Sequence, residues 1–155
     1  MKTSALIIYA FLSISFFACG QSEKNVPVKI ASSFSQKFPN ASKVKWGKES
    51  DKEWEAEFKI DDKEYSANFD NSGAWTETEY EITPKEIPAP VKATLDKEFL
   101  GYKVAKSEVS EMQEGKIFEF ALSKGKEKLE AAIDATGKVL TKEPVKKEKE
   151  DEEED

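Results

Sequence analysis

Carboxylates are the side chains of this sequence best placed to do chemistry, since 31 of its 155 residues are Asp or Glu and none is His. Glu55 and Glu57 stand two positions apart in a segment that alternates apolar and charged residues. Paired carboxylates can hydrolyse a glycosidic bond when they face each other across a cleft. A spacing of two instead places both on one face of a strand. A solvated sheet face is therefore the favoured interpretation.

Other reactive arrangements are weaker still. An EF-hand loop beginning at Asp70 would need glycine at its sixth position, whereas Gly73 would be the fourth. Asp70–Gly73 is better explained as a turn, and so is Asp61-Asp62. Trp46 and Trp54 alternate with charged residues and are predicted to be core side chains rather than ligand-stacking ones. With no His and a single Cys, no nucleophile–base pair can be assembled from those two residue types. The sequence predicts no enzyme, no metal site and no cofactor.

The single cysteine, Cys19, follows a short apolar run that begins after Lys2. This arrangement is typical of a secretory signal, here residues 1–18. Phe16 to Gly20 resembles the relaxed lipobox of Bacteroidetes lipoproteins, which predicts a lipid on Cys19 and a tether over residues 19–25. In the alternative, an ordinary signal peptidase cleaves after Gly20 and the product is a soluble periplasmic protein. An isolated exported cysteine favours the lipoprotein.

The charge of the chain argues against nucleic acid as a partner. The formal net charge is −7, and there is no Arg to recognise phosphate in a bidentate manner. Residues 142–155 carry four Lys against eight Asp and Glu and lack apolar periodicity. These residues are predicted to form a disordered acidic tail.

The sequence pattern of the elements that position these residues occurs twice. Residues 118–139 match residues 54–75 at a shift of 64, apolar on apolar and turn on turn. A helical pattern precedes each copy, and a period of two follows it. We therefore predict an α+β fold of two tandem repeats, residues 26–82 and 83–141. Each repeat is expected to be a helix packed on an antiparallel meander of about four strands.

The outward face of the predicted strands is the candidate functional surface. In the first copy it carries Glu55 and Glu57, whereas in the second Ile117 and Ala121 flank Glu119. Such a less polar patch indicates either a contact surface or packing against the other repeat, and the sequence favours neither. Tyr80, at the end of a predicted strand, completes the candidate face.

The chain resembles the PepSY-like family, also described as β-lactamase-inhibitor-protein-like. The segments that carry the resemblance are Val28–Pro39, Val44–Trp46, Trp54–Phe58 and Tyr65–Gly73. A weaker echo is found in Val91–Phe99, Phe118–Leu122 and Leu129–Gly137. The resemblance implies modules whose exposed sheet binds a protein or peptide, and a link to restraining peptidases or to inhibition. Inhibition of a β-lactamase is not carried over, because that inhibitor family uses disulfides and this chain has one cysteine.

Two functional hypotheses follow. The first is a non-catalytic, lipid-anchored binding module of the periplasm or outer membrane whose partner is an envelope protein or peptide. The second is a structural or chaperone-like envelope protein whose acidic tail supplies solubility and weak contacts.

Overall fold

The computed structural model describes residues 26–145, which form two helices and eight strands. The predicted signal peptide, Cys19, the tether and residues 146–155 lie outside the described residues. The elements, in chain order, are α1 (Val28–Lys37), β1 (Ser42–Lys48), β2 (Glu53–Ile60), β3 (Lys63–Asp70), β4 (Trp75–Glu81), α2 (Ala89–Glu98), β5 (Lys103–Met112), β6 (Gly115–Lys124), β7 (Glu127–Asp134) and β8 (Val139–Pro144).

All eight strands form one antiparallel sheet in the order β1 to β8. The prediction of two tandem helix-plus-meander repeats is therefore wrong: β4 pairs with β5, from Glu77 opposite Met112 to Glu81 opposite Glu108. The reason is the free edge that each separate meander would expose. Its unpaired N–H and C=O groups are satisfied when the two edges pair. The result is a single sheet with only two short helices.

Both helices are held by the sheet rather than by their own propensity. Each has ten residues, a length at which an isolated helix is marginal in water. α1 buries Ile30 and Phe34, and α2 buries Val91 and Leu95, in each case four residues apart on one helical face. Neither helix of residues 26–145 is long and apolar enough to cross a membrane.

Most of the buried apolar side chains form two clusters on one face of the sheet. The cluster under α1 is rich in aromatic rings, and the prediction that Trp46 and Trp54 are core residues is confirmed by exposures of 5% and 6%. Its buried members are Ile30, Phe34, Trp46, Trp54, Ala56, Phe58, Ala67 and Phe69. The cluster under α2 is more aliphatic, with Val91, Leu95, Phe99, Val109, Phe118, Phe120, Leu122, Leu129, Ala131 and Ile133.

Two equivalent turns, one between β3 and β4 and one between β7 and β8, lie against the helices α1 and α2. One Asp70 carboxylate oxygen accepts hydrogen bonds from the Ser72 and Ala74 amides at 2.8 and 2.9 Å, which confirms the turn. Asp134 accepts from the Thr136 and Lys138 amides in the same way. In the second turn, Thr94 of α2 also donates to the Gly137 carbonyl at 2.5 Å. Each turn is thus a docking point for the helix of its own half.

The C-terminal strand reaches further than the pattern indicated. β8 continues to Pro144, which takes it three residues into the predicted tail. Because Leu129 opposes Pro144, those residues extend the edge of the sheet.

Candidate binding face

The sheet has one covered face and one open face. Cross-strand pairs join Phe58 to Tyr65, and likewise Tyr80 to Val109 and Val109 to Phe118. The two sets meet where the ring centres of Tyr65 and Tyr80 lie 5.3 Å apart. Both core clusters therefore lie on the same side of the sheet, together with both helices. Among residues 26–145, neither helix packs on the opposite side, which we call the open face.

The open face consists of the side chains that alternate with the core residues. Strand register arranges them in rows across the sheet. One row runs through Glu57, Ser66, Glu79, Ser110 and Ile117, and neighbouring rows run through Glu55, Asn68, Glu77 and Met112, and through Glu108, Glu119 and Ala132.

Five of the six predicted face residues lie on the open face. Glu55, Glu57, Glu119 and Ala121 are partly exposed there, whereas Ile117 is only 7% exposed. Ala132, its neighbour on β7, is 3% exposed. The less polar patch of the second half therefore offers a partner little apolar area. The two halves lie side by side in one sheet, so the first half does not cover this patch.

Tyr80 lies on the other side of the sheet. It opposes Val109 and packs against the core cluster under α2, and its ring stands 5.3 Å from that of Tyr65. The Lys63 ammonium is 4.6 Å from the centre of the Tyr80 ring. Strict alternation with Glu79 and Glu81 along β4 was the sequence signal for this placement.

The central carboxylates of the open face were missed by sequence reasoning. Glu77 and Glu79 on β4 come together with Glu108 on β5 and Glu119 on β6 only because β4 pairs with β5. Glu55 on β2 joins them through β3. We call these five residues the carboxylate cluster. The prediction of two separate repeats could not place them together, because it kept the edges of β4 and β5 apart.

Hydrogen bonds divide the cluster into two kinds of carboxylate. Ser66 Oγ donates to Glu55 at 2.5 Å, and Ser110 Oγ donates to Glu77. Glu79 and Glu119 receive no side-chain hydrogen bond from residues 26–145. Hydrogen bonds stabilise the ionised form of a carboxyl group, so their absence leaves burial uncompensated.

Burial shifts the acidity of these groups upward. Desolvation, reinforced by repulsion from neighbouring carboxylates, raises the pKa of Glu79 to about 8 and that of Glu119 to about 7. Desolvation also raises the pKa of Glu55 and Glu77, although the serine hydroxyls oppose that shift. The least ionised carboxyl groups thus occupy the middle of the face.

Lysines neutralise only part of this surface. Lys59 pairs with Glu64 at 2.8 Å, and Lys106 pairs with Glu108 at 2.8 Å and with Glu81 at 3.6 Å. None of the ion pairs within residues 26–145 involves Glu55, Glu77, Glu79 or Glu119. Between Glu55 and Glu77 in the register, Asn68 has a buried carbonyl oxygen that finds no hydrogen-bond partner among the residues described. The arrangement suits hydrogen-bond donors and cations.

A pocket on the covered side offers no comparable chemistry. Its volume is about 240 Å³, and it lies between α1 and β1. Its lining consists of Val26, Ala31, Phe34, Ser35, Phe38, Pro39, Ala41, Val44 and Trp46. No charged side chain is among them, so the pocket supplies neither an acid nor a base. Across the described residues, no group of three or more Cys, Asp and Glu is arranged to hold a metal ion.

Comparisons with known proteins agree on the fold. Residues 52–141 match the family described as "Putative beta-lactamase-inhibitor-like, PepSY-like". A BLIP-like protein from Bacteroides fragilis is similar with a TM-score of 0.69 and 20% identity, over 79% of this chain and 88% of that one. A DUF2874 family protein from Bacteroides uniformis is similar with a TM-score of 0.71 and 18% identity, over 77% of this chain and 90% of that one. A "putative periplasmic" protein from Bacteroides eggerthii is similar with a TM-score of 0.70 and 18% identity, over 77% of this chain and 89% of that one. No curated protein matches the chain.

Proposed function

Because the chain belongs to the PepSY-like, β-lactamase-inhibitor-like family, we propose that it is a non-catalytic exported protein that binds another protein or a peptide on its open face. The partner contributes a segment carrying Lys or Arg. The observation that supports this proposal is a group of half-buried carboxylates that form no ion pair within residues 26–145, on a sheet face that no described helix covers.

The cost of burying unpaired carboxylates supports a cationic partner. An ionised group loses solvation when it is partly buried, and it regains that free energy only from a partner charge or hydrogen bond. Lysine or arginine from another chain would supply both to Glu55 and Glu77. Opposite potentials would also speed the encounter and exclude acidic competitors.

Export and anchoring belong to the same proposal. The signal-like N-terminus and the kinship with a BLIP-like and a "putative periplasmic" protein support a periplasmic or outer-membrane location. A diacyl group on Cys19 would hold the protein at the membrane durably. A peptidase-restraining or inhibitor-like role would fit if the cationic segment belongs to an envelope enzyme.

Site-specific photocross-linking in the native envelope tests where the partner lies. A cross-linking residue at Ala121, on the open face, is expected to capture a defined partner whose cross-linked peptide contains Lys or Arg. The matched control is Ser35, which is exposed on α1 on the covered side. Equal capture from both positions would contradict a binding site on the open face.

Charge reversal tests the basis of binding. The double change Glu57→Lys and Glu119→Lys is expected to abolish the Ala121 cross-link, since it replaces attraction by repulsion. Glu98→Lys, on the exposed side of α2, is the control and should leave the cross-link intact. Truncation after Val145 preserves β8 and should also leave it intact. Loss of the cross-link on truncation would instead support the chaperone-like alternative.

A further inference from the structure

We infer that the carboxylate cluster shares protons in the folded protein and changes the charge of the open face around neutral pH. In mild acid the middle of the face is uncharged and donates hydrogen bonds, whereas above neutrality it is anionic. Its consequence for partner binding rests on the proposed function, but the proton sharing itself does not.

Strand geometry brings four residues of the carboxylate cluster, on β4, β5 and β6, to neighbouring positions on the open face. Neighbouring strands lie about 4.8 Å apart and alternate residues of one strand about 6.8 Å apart. Glu77 and Glu79 are alternate residues of β4, and Glu108 directly opposes Glu119 across β5 and β6. Ionising all of them would place like charges on adjacent positions, which destabilises a sheet. Sharing protons removes that repulsion without moving the backbone.

The strands around Glu79 and Glu119, taken together, present more negative than positive charge to them. On β5, Glu108 is matched by Lys106, which also reaches Glu81 of β4. On β3, Glu64 is matched by Lys59 of β2. The remaining acidic groups that face the pair are Glu55 and Glu57 of β2, Glu77 of β4 and Glu130 of β7, while Lys45 lies opposite Glu57 on the edge strand β1.

The serine hydroxyls determine which members keep the proton. Ser66 and Ser110 each donate to one carboxylate, Glu55 and Glu77 respectively, and so favour its ionised form. Glu79 and Glu119 have no such donor among residues 26–145. The elevated pKa values of about 8 for Glu79 and about 7 for Glu119 agree with this division.

A cationic partner would change this balance. A Lys or Arg side chain placed over Glu79 or Glu119 favours the ionised carboxylate, so binding releases a proton. By linkage, affinity for the partner then rises with pH by up to about tenfold per pH unit for each proton released.

Nuclear magnetic resonance of the glutamate side-chain carboxyl carbons tests the proton sharing directly. The mature chain with Cys19→Ala is suitable because it carries no lipid. Two carboxyl resonances are expected to titrate above about pH 6, well above the ordinary glutamate value. Glu79→Gln and Glu119→Gln should each remove one of them. Glu114→Gln, in the exposed turn between β5 and β6, should remove neither.

The variant Glu77→Gln separates sharing from simple burial. It removes a neighbouring charge while keeping the shape of the side chain, so both high titration midpoints should move down. Midpoints that stay in place would show independent groups and overturn the sharing. If every glutamate titrates below about pH 5.5, the inference is overturned entirely.

Binding of a defined probe distinguishes this inference from the proposed function. A deca-lysine peptide at moderate salt is expected to bind at least about threefold more tightly at pH 8 than at pH 6. Titration without any peptide binding would count against the proposed cationic partner and leave the proton sharing supported. Binding that strengthens with pH in wild type but not in Glu79→Gln/Glu119→Gln would support both.

Discussion

The two faces of this sheet are formed by the same strands but bury opposite kinds of side chain, apolar on one face and acidic on the other. The covered face buries large apolar groups under two helices, and Phe69, Phe120, Ile30 and Ile133 are fully buried there. The open face leaves carboxylates half-buried and without an ion pair to any side chain of the described part of the chain. Apolar burial on the covered face stabilises the fold, whereas repulsion among the carboxylates of the open face destabilises it. Such strain is common where a protein surface keeps its polar groups for a partner.

Removing a core ring should have the largest effect on stability. Phe69→Ala deletes a side chain with 0% exposure in the cluster under α1. We expect the free energy of unfolding to fall by about 3–5 kcal/mol, through lost burial and the cavity left behind. Urea denaturation monitored by circular dichroism measures it. Val28→Ala, at a position 86% exposed, should change it by less than about 0.5 kcal/mol. Similar values for the two variants would contradict the assignment of the covered face.

The turn that holds α2 on the covered face should be the next most sensitive. Gly137 has φ +91°, and a Cβ there would lie 2.7 Å from the Pro90 carbonyl oxygen. Gly137→Ala combines this clash with an unfavourable backbone conformation, so a loss of about 2–4 kcal/mol is expected. Gly73→Ala is the matched control in the first half. Its nearest atoms, on Lys29 and Ser33, lie at 3.2 Å and include flexible side chains. A larger loss at Gly73 would reverse the expected order of the two turns.

On the open face, removing a charge should stabilise the protein. The pKa of Glu79 is about 8 in the folded protein, above the ordinary value of 4.5. The folded state therefore holds a proton that the unfolded state releases, and stability is greatest in mild acid and is lost as the pH rises through about 8. Glu79→Gln should raise the free energy of unfolding by about 2 kcal/mol at pH 8.5 and hardly change it near pH 4.5.

Urea denaturation at both pH values measures this difference. The control is Glu64→Gln, which removes an exposed carboxylate paired with Lys59 and should slightly destabilise the protein at pH 8.5. A loss of stability in Glu79→Gln at pH 8.5 would show that ionised Glu79 is well compensated, contrary to the comparison of the two faces.

The sequence predicted local features well and long-range pairing poorly. Period-two alternation placed Trp46, Trp54 and Phe58 in the core, because neighbours along a strand determine that pattern. The pairing of β4 with β5 joins residues more than twenty positions apart across α2, and alternation is silent about it. Glu77 and Glu79 were missed for that reason. Tyr80 was placed on the wrong face because the pairing of β3 with β4 shifts register between Asn68 and Phe69. Alternation with Glu79 alone would have placed it correctly.

A turn that belongs to neither face should show the smallest effect. Asp61 and Asp62 join β2 to β3 with φ of 49° and 63°, as in the two-residue hairpin turn in which both residues have positive φ. Asp-Gly suits this turn better than Asp-Asp, since glycine tolerates positive φ without strain. Asp62→Gly should therefore stabilise the protein by about 0.5 kcal/mol, while Asp62→Ala should destabilise it. Thermal denaturation of both variants separates backbone strain from charge, because both remove the same carboxylate. Equal shifts in Tm would assign the effect to charge, and the acidic imbalance of this protein would then extend beyond its open face.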